Sequence, residues 1–280
     1  MFDPYDPRTP LFRCILSLLA LLLITGMLET TLKLRSRASV LKADSCERTD
    51  FRQQHITSGL YRRIWKMAAD KETGTDSFID ILTATMLNSD FYPEQVLPDA
   101  TPYQKYKPAE YEQLKGAYQS VWSDLKYFPI PSTEIYFENS YGAPRDYGGP
   151  RTHEGCDLFG RISESGFYPV ISMTSGTVAK IGWLPLGGYR ICIRASHGGY
   201  FYYAHLASYE KIFQTGEEVE AGQILGYMGD TGYGEEGTAG KFPVHLHLGI
   251  YIDTRSGEEL SVNPYYILQA MEKKAKKYTY

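Results

Sequence analysis

The second half of the chain consists of short segments rich in β-branched and aromatic residues, most of them closed by a glycine turn. Segments of this length with repeated turn signals are typical of β-strands. No helical crossover pattern lies between them, so neighbouring strands are expected to run antiparallel. We therefore predict a mainly antiparallel β domain over residues 131–280. The predicted strands are residues 170–173, 176–181, 190–195, 200–205, 224–228 and 244–252.

The region before residue 130 has apolar residues at helical spacing instead. Positions 60, 64, 67 and 68 are apolar, as on one face of an amphipathic helix. Two further helices are predicted over residues 77–88, with Asp76 as a cap, and over residues 109–125. The fold class is therefore α+β overall, with residues 29–130 forming a small helical spacer region. Binding of a protein partner by residues 45–130 is the alternative role for these helices.

A single long apolar run lies near the N-terminus, at residues 11–28, after a tail of residues 1–10. The run has 18 residues with one charge, Arg13, and reaches the length of a membrane-spanning helix, roughly 17–25 residues. A cleaved signal peptide is the alternative, but no small-x-small cleavage site follows directly. We therefore expect an uncleaved transmembrane anchor.

The charges beside this run bear on its orientation. Four basic residues follow the run, and the positive-inside rule read literally would keep the remainder of the chain in the cytoplasm. These residues are Lys33, Arg35, Arg37 and Lys42.

Charge and cysteine content exclude several classes of function. The 280 residues carry a net charge of −4, which gives no basic surface for nucleic acid. The four cysteines, Cys14, Cys46, Cys156 and Cys192, include no CxxC pair. Their spacing argues against a zinc ribbon and against a dense disulfide framework. Cys156 and Cys192 are expected to be buried thiols, with a single bridge between them as the alternative.

Three short motifs in the predicted β domain carry side chains that could bind a metal. His153 and Asp157 lie four residues apart, His205 closes a Tyr-Ala-His run, and His245 and His247 flank one leucine. Because successive side chains of a strand alternate between faces, His245 and His247 are expected to point the same way.

These five side chains have the chemistry of a catalytic zinc site. Zinc takes imidazole and carboxylate ligands, and a catalytic zinc keeps three protein ligands and one open position. Two histidines would then be left beside the bound water, where they are natural general acids and bases. The sequence has no HExxH pair, so a histidine must replace its glutamate base. The residues alone leave open whether His245 or His247 is the ligand.

The order of these motifs, with a glycine-rich run at residues 222–232 before the last one, resembles the LytM/lysostaphin-type peptidases of family M23. The resemblance covers roughly residues 135–265 and implies a LytM-like β domain. It implies that one zinc ion per chain is bound by His153, Asp157 and His247. It also implies that His205 and His245 flank the water as the catalytic histidines.

Two departures from the family pattern are visible. Gly249 stands two residues after the second histidine, where the family often has a glutamate, and the loop at residues 232–243 is longer than the usual link. Neither departure removes a ligand or a base. They therefore bear on groove shape and substrate preference.

Several residues near the motifs are interpreted separately. His197 is predicted to be a hairpin residue and Cys156 to pack in the core, while Glu154 should project away from the metal. Tyr147 and Tyr203 are candidates for hydrogen-bonding the oxyanion, and Tyr203 should share the strand face of His205.

The resemblance implies a zinc metalloendopeptidase that hydrolyses peptide bonds in peptidoglycan stem or cross-bridge peptides during cell-wall remodelling. Such substrates lie outside the cytoplasm, so we expect a single-pass protein of the cell membrane with its catalytic domain extracytoplasmic, against the charge bias. The alternative is a catalytically silent LytM-like module that binds or regulates a cell-envelope complex. Such modules typically lack one or more ligands, whereas all five positions are filled here.

Overall fold

The computed structural model describes residues 10–69, 74–254 and 256–276. Most of the helices precede residue 123, and one lies close to the C-terminus with a short 3₁₀ turn, Glu272–Lys274, after it. The helices are α1 (Pro10–Ala38), α2 (Thr49–Arg52), α3 (Ser58–Ala69), α4 (Thr75–Leu87), α5 (Thr101–Tyr106), α6 (Pro108–Trp122) and α7 (Tyr265–Met271).

The strands all lie between residues 135 and 262, within the predicted β domain. They are β1 (Ile135–Phe137), β2 (Pro144–Arg145), β3 (Arg151–Thr152), β4 (Cys156–Gly160), β5 (Pro169–Ile171), β6 (Gly176–Leu184), β7 (Gly188–Ala195), β8 (Tyr200–Tyr209), β9 (Glu218–Val219), β10 (Ile224–Met228), β11 (Leu246–Asp253) and β12 (Glu259–Val262).

Ten of the described strands form one antiparallel sheet. Its main path runs β1-β4-β11-β8-β7-β6-β9, with β12 beside β11, and β10 pairs with both β5 and β8. The hairpin β2-β3 forms a separate small sheet. The predicted α+β class and the mainly antiparallel β domain are confirmed.

The predicted strands and helices are present, with shifted ends. The six predicted strands correspond to β5, β6, β7, β8, β10 and β11. Helix α4 begins at Thr75 with Gly74 as its N-cap and no side-chain cap, so the prediction that Asp76 caps it is wrong. Asp76 lies in the first turn, where its charge suits the helix dipole. Helix α6 ends at Trp122, three residues before the predicted end at residue 125.

The helices α2 to α7 and the sheet share one hydrophobic core. Many of the 24 tyrosines are used here, since Tyr103, Tyr111 and Tyr118 are among the largest fully buried side chains. Polar contacts join the two parts as well: Arg52 donates from Nε to the Ser261 carbonyl at 2.9 Å, across 209 residues of sequence. The helical region is therefore packed directly against the β domain.

Helix α1 projects from this body. Its 29 residues extend about 43 Å at ~1.5 Å per residue. The most apolar part of the helix is fully unburied and is long enough to cross a membrane. Its C-terminal end is fixed to the body, where Ala38 is buried and Arg37 contacts Asn88 at 2.6 Å and Asp99 at 3.3 Å.

Candidate functional site

The sheet register brings the sequence-predicted residues together. His247 on β11 lies opposite Asp157 on β4 and opposite Ala204 on β8. His153 follows β3, where its backbone extends the β2-β3 hairpin by donating from its N–H to the Ala143 carbonyl at 2.8 Å. One stretch of chain thus leads from the hairpin into β4 and supplies both His153 and Asp157.

Three donor atoms converge within this arrangement. His153 Nε2 lies 2.9 Å from His247 Nδ1, and each of these nitrogens lies 3.0 Å from Asp157 Oδ1. Metal bonds of ~2.0–2.1 Å in a tetrahedral zinc site would separate ligand atoms by about 3.3 Å. His153, Asp157 and His247 therefore form a triangle of nearly the right size to hold one metal ion.

Neighbouring groups fix the orientation of two of these ligand candidates. His153 contacts the Ser140 carbonyl through Nδ1 at 3.0 Å, which leaves the Nε2 lone pair directed into the site. Arg145 donates to Asp157 Oδ2 at 2.7 Å and leaves Oδ1 for the triangle. Outer contacts of this kind are typical of metal ligands in proteins.

Gly155 leaves room for the third ligand candidate. A Cβ at this position would lie 2.6 Å from His247 Cε1 and 2.7 Å from His247 Nε2. Such contacts are far inside van der Waals distance, so the imidazole could not keep its place beside a larger residue. The glycine between His153 and Asp157 is therefore part of the site.

The charge of Asp157 is strongly favoured. Burial alone would raise the pKa of Asp157, but the close contacts of its carboxylate with His153 and His247 hold this pKa well below its ordinary value. The carboxylate is therefore ionised at neutral pH and contributes a negative charge to the triangle.

His205 and His245 lie beside the triangle. Their ring centroids are 4.8 Å apart, and His245 Nε2 is 3.7 Å from Asp157 Oδ1. His205 contacts the Thr231 carbonyl through Nδ1 at 2.8 Å, and His245 contacts the Pro243 carbonyl through Nδ1 at 2.7 Å. A carbonyl only accepts, so each Nδ1 carries the proton and each Nε2 is a free base.

Burial favours the neutral form of both rings. Desolvation lowers the pKa of His205 well below its ordinary value, and the neighbouring His245 and His247 lower it further. Desolvation also lowers the pKa of His245, although Asp157 opposes this effect. Both rings therefore have an unprotonated Nε2 at neutral pH, the form in which a general base acts.

A bulge in β8 determines which tyrosine shares the site with His205. Tyr203 pairs with Ile191 and Leu206 with Tyr189, so two β8 residues stand opposite one β7 residue. His205 is the positive-φ residue of this bulge, at 62°. The bulge reverses the alternation of side chains from this point along the strand.

The expectation that Tyr203 shares the His205 face is therefore wrong. Tyr203 is fully buried, and its hydroxyl accepts a hydrogen bond from the Met173 N–H at 2.9 Å. Tyr202 lines the cleft instead, with its ring centroid 5.8 Å from that of His247. Tyr202, which the sequence analysis missed, stands beside the site.

The five candidate residues open into one cleft with a volume of about 1060 Å³. Tyr233 and Phe242, from the long loop at residues 232–243, contribute to its wall, and Phe242 contacts the His205 ring edge-on at 4.5 Å between centroids. The loop that departs from the family pattern thus forms part of the cleft beside the histidines.

The residues interpreted as structural lie apart from the triangle. His197 contacts Asp124 through Nδ1 at 2.9 Å in the turn after β7. Cys156 is buried and donates from Sγ to the Glu138 carbonyl at 3.3 Å, and burial raises the pKa of its thiol to about 12. Neither Cys156 nor Cys192 is in a disulfide. Glu154 is exposed on the cleft wall.

Arg145 was also missed by the sequence analysis. Its contact with Asp157 depends on the β2-β3 hairpin, in which Arg145 lies opposite Arg151. The available signal was the glycine- and proline-containing segment between the two arginines, which marks a tight turn.

Comparisons with known proteins agree with this geometry. The profile described as Peptidase family M23 matches residues 151–264. The chain is 41% identical over 166 residues to the L-Ala–D-Glu endopeptidase of Bacillus subtilis (strain 168), covering 59% of this chain and 49% of that protein. It is 35% identical over 83 residues to lysostaphin of Staphylococcus simulans, covering 29% of this chain and 16% of that protein.

The chain thus spans about half the length of the first of these relatives and less of the second. The crystal structure of a LytM-like protein from Ruminococcus gnavus ATCC 29149 superposes with a TM-score of 0.69 and 38% identity. That superposition covers 83% of this chain and 94% of the other, so it includes helices as well as the sheet. With this identity over nearly the whole of a solved relative, the chain belongs to peptidase family M23.

Proposed function

We propose that the protein is a zinc-dependent metalloendopeptidase that hydrolyses a peptide bond in peptidoglycan stem peptides. The observation that carries this proposal is the triangle of His153, Asp157 and His247, with two further histidines whose Nε2 atoms are free bases beside it. A cleft of about 1060 Å³ is large enough for a peptide segment.

The donor set fits zinc. Two imidazoles and one carboxylate are ligands that catalytic zinc sites use, with a fourth position left for water or substrate. When bound, zinc supplies a Lewis acid that polarises a carbonyl and makes water more acidic. The carboxylate of Asp157 and the orienting contacts of Ser140 and Arg145 suit the retention of a divalent cation.

The two remaining histidines account for the proton transfers. With Nδ1 fixed on a backbone carbonyl, His205 or His245 accepts the proton of the attacking water at Nε2. The resulting imidazolium then gives that proton to the leaving amine. Aromatic neighbours such as Phe159 and Phe242 pack against these rings and exclude water from them.

The more identical of these relatives favours stem peptides as the substrate class, whereas the Ruminococcus gnavus protein, which matches over more of the chain, is described as a glycyl-glycine endopeptidase. The relative named for an L-Ala–D-Glu bond aligns over 166 residues, whereas lysostaphin aligns over 83. Cross-bridge peptides are the competing class. The long loop at residues 232–243, which contributes Tyr233 and Phe242 to the cleft, is where the preference between them would be determined.

The proposed location is the outer face of the cell membrane, with α1 as a single-pass anchor. The unburied apolar part of α1 supports this placement, and so does a substrate found only outside the cytoplasm. A protease-protection experiment on intact cells should leave the domain accessible from outside. Protection of the domain would contradict the proposal. The binding of a partner by residues 45–130 stays a prediction.

The test of the proposed function uses the purified full-length protein. Wall fragments with known stem and cross-bridge peptides are digested, and new amine termini are identified by mass spectrometry. We expect cleavage that a chelator abolishes and that His247→Ala lacks. Full zinc occupancy with no cleavage of any wall type would contradict the proposal and favour a silent binding module.

A further inference from the structure

Two arginines stand directly opposite each other at the cleft. Arg145 on β2 pairs with Arg151 on β3, and both line the cavity. Side chains that are directly opposite in an antiparallel pair lie ~4.5–5.5 Å apart at Cβ, and like charges in these positions are destabilising. A hairpin that places two like charges opposite each other is therefore stabilised by a neighbouring anion.

The protein supplies that anion to only one of them. Arg145 is neutralised by Asp157 Oδ2 at 2.7 Å, and its side chain is 31% exposed. In the described ranges, Arg151 makes no ion pair with any carboxylate. Its positive charge is left unbalanced beside the metal-site triangle.

Weak contacts hold Arg151 in place. Its Nε donates to the Tyr147 carbonyl at 3.4 Å, and its Nη2 donates to the Tyr233 hydroxyl at 3.4 Å. Both distances are longer than those of strong hydrogen bonds, ~2.7–3.2 Å. Tyr147 and Tyr233 are themselves stacked, 4.1 Å between centroids. The guanidinium has five donors, so most of its hydrogen-bonding capacity remains available.

Glu154, the other acidic residue of the cleft wall, does not form an ion pair with Arg151. Glu154 is exposed. The pKa of Tyr251 is raised mainly by burial and, to a smaller extent, by the charge of Glu154. Asp157 is already engaged by Arg145 and by the triangle. The carboxylates of the cleft therefore leave the Arg151 guanidinium available to an anionic group of a ligand.

We propose that Arg151 is a specificity-determining residue that binds a carboxylate of the peptide substrate. This inference rests on the proposed function. Arg145 contacts the Asp157 carboxylate, and Arg151 lies one strand spacing away. The carboxylate is therefore expected on a substrate residue close to the scissile bond. A planar guanidinium recognises such a group with paired hydrogen bonds.

A structural role is the competing explanation. Arg151 connects the β2-β3 hairpin to the loop at residues 232–243 through Tyr147 and Tyr233. If this were its only function, its replacement would disturb the cleft for every substrate alike. An effect confined to carboxylate-bearing peptides separates the two explanations.

The experiment uses two peptides with an L-Ala–D-Glu bond, both amidated at the C-terminus. In one the free carboxylate of the D-Glu residue is intact, and in the other it is a carboxamide. The full-length protein, Arg151→Gln and Arg151→Lys are compared. Arg161→Gln is the matched control, since it removes an arginine that pairs with Glu134 at 2.8 Å away from the cleft.

Arg151→Gln should lower kcat/KM for the carboxylate peptide about 10- to 100-fold, mainly through KM, as expected for loss of a charged hydrogen bond. The same variant should leave the carboxamide peptide almost unchanged, and Arg151→Lys should retain part of the preference. Arg161→Gln should match the wild type. An equal loss for both peptides, or no loss for either, would overturn the inference.

A binding measurement makes the inference independent of catalysis. Calorimetry with protein stripped of metal by a chelator should show tighter binding of the carboxylate peptide than of the carboxamide peptide. Arg151→Gln should abolish that difference. If the wild type cleaves neither peptide but keeps the difference, carboxylate binding by Arg151 stands and cleavage of this bond fails; equal binding of both peptides contradicts the inference.

Discussion

At the scale of single residues, the pair His245 and His247 shows what a sequence pattern leaves open. Alternation along a strand predicted that both rings face the same way, and both line the cleft. The pattern could not separate their surroundings. His247 Nδ1 lies in the triangle at 3.0 Å from Asp157, whereas His245 Nδ1 is engaged by the Pro243 carbonyl. The contact of His247 depends on tertiary structure, because Asp157 lies 90 residues away, whereas the contact of His245 is local.

The first prediction separates these two histidines. His247→Ala should lower zinc affinity by more than about 100-fold, because changes to groups behind a ligand already cost about 10- to 100-fold. His245→Ala should keep zinc and lower kcat about 10²- to 10⁴-fold, the usual contribution of a general acid or base. Metal analysis and peptide cleavage measure the two effects.

His197→Ala is the matched control, because His197 contacts Asp124 outside the cleft. It should retain both zinc and activity. Equal loss of zinc from His245→Ala and His247→Ala would show that the assigned roles are wrong.

The second prediction concerns Gly155. Gly155→Ala places a methyl group 2.6 Å from His247 Cε1. We expect the free energy of unfolding to fall by about 1–3 kcal/mol, as for other overpacked sites, and zinc affinity to fall with it. Chemical denaturation and zinc titration check the two effects.

The control is Gly116→Ala in α6, where an added Cβ meets nothing within 4 Å. Because alanine is the better helix former, this variant should gain about 0.5–1 kcal/mol. A Gly155→Ala protein with wild-type zinc affinity would show that the space beside His247 is not needed.

At the scale of elements, the two-residue strands could not be predicted, and the longer β4 and β12 were not among the predicted strands either. The six predicted strands are 3 to 10 residues long and carry a visible pattern of β-branched and aromatic residues. Strands such as β2, β3 and β9 have two residues each, too few for any periodicity. Their existence depends on pairing with distant segments. The bulge at His205 could not be predicted either. The prediction assumed that side chains alternate between the two faces of the strand, and the bulge interrupts this alternation.

The third prediction tests how the helices are joined to the sheet. Arg52 donates to the carbonyl and to the hydroxyl of Ser261, at 2.9 and 2.8 Å. Arg52→Ala should lower the free energy of unfolding by about 2 kcal/mol, in the range for hydrogen bonds of charged groups. Because helices and sheet share one core, denaturation should remain a single transition.

Arg48→Ala is the control, since Arg48 pairs with Asp50 at 3.3 Å on the surface. Exposed pairs contribute ~0–1 kcal/mol, so this change should be small. Separate unfolding of the helices and of the sheet in the wild type would contradict a shared core.

At the scale of the whole molecule, the sequence predicted the fold class and the general location of the site, but not how the helices relate to the sheet. Helical periodicity at positions 60, 64, 67 and 68 predicted a helix, yet not what its apolar face contacts. Leu60, Ile64 and Ala68 pack into the same core as the sheet, whereas Met67 is exposed. The hydrogen bond from Arg52 to Ser261 joins residues 209 apart in sequence. Contacts of such separation leave no local pattern to detect.

For the whole molecule, the central claim is that one zinc ion held by His153, Asp157 and His247 gives the cleft its peptidase activity. The most direct measurement is a titration of metal-stripped, full-length protein with zinc, followed by the release of amine termini from a stem peptide. Activity should be absent without metal and should saturate at one zinc per chain. Activity that is independent of zinc, or no activity with the site fully loaded, would contradict the claim.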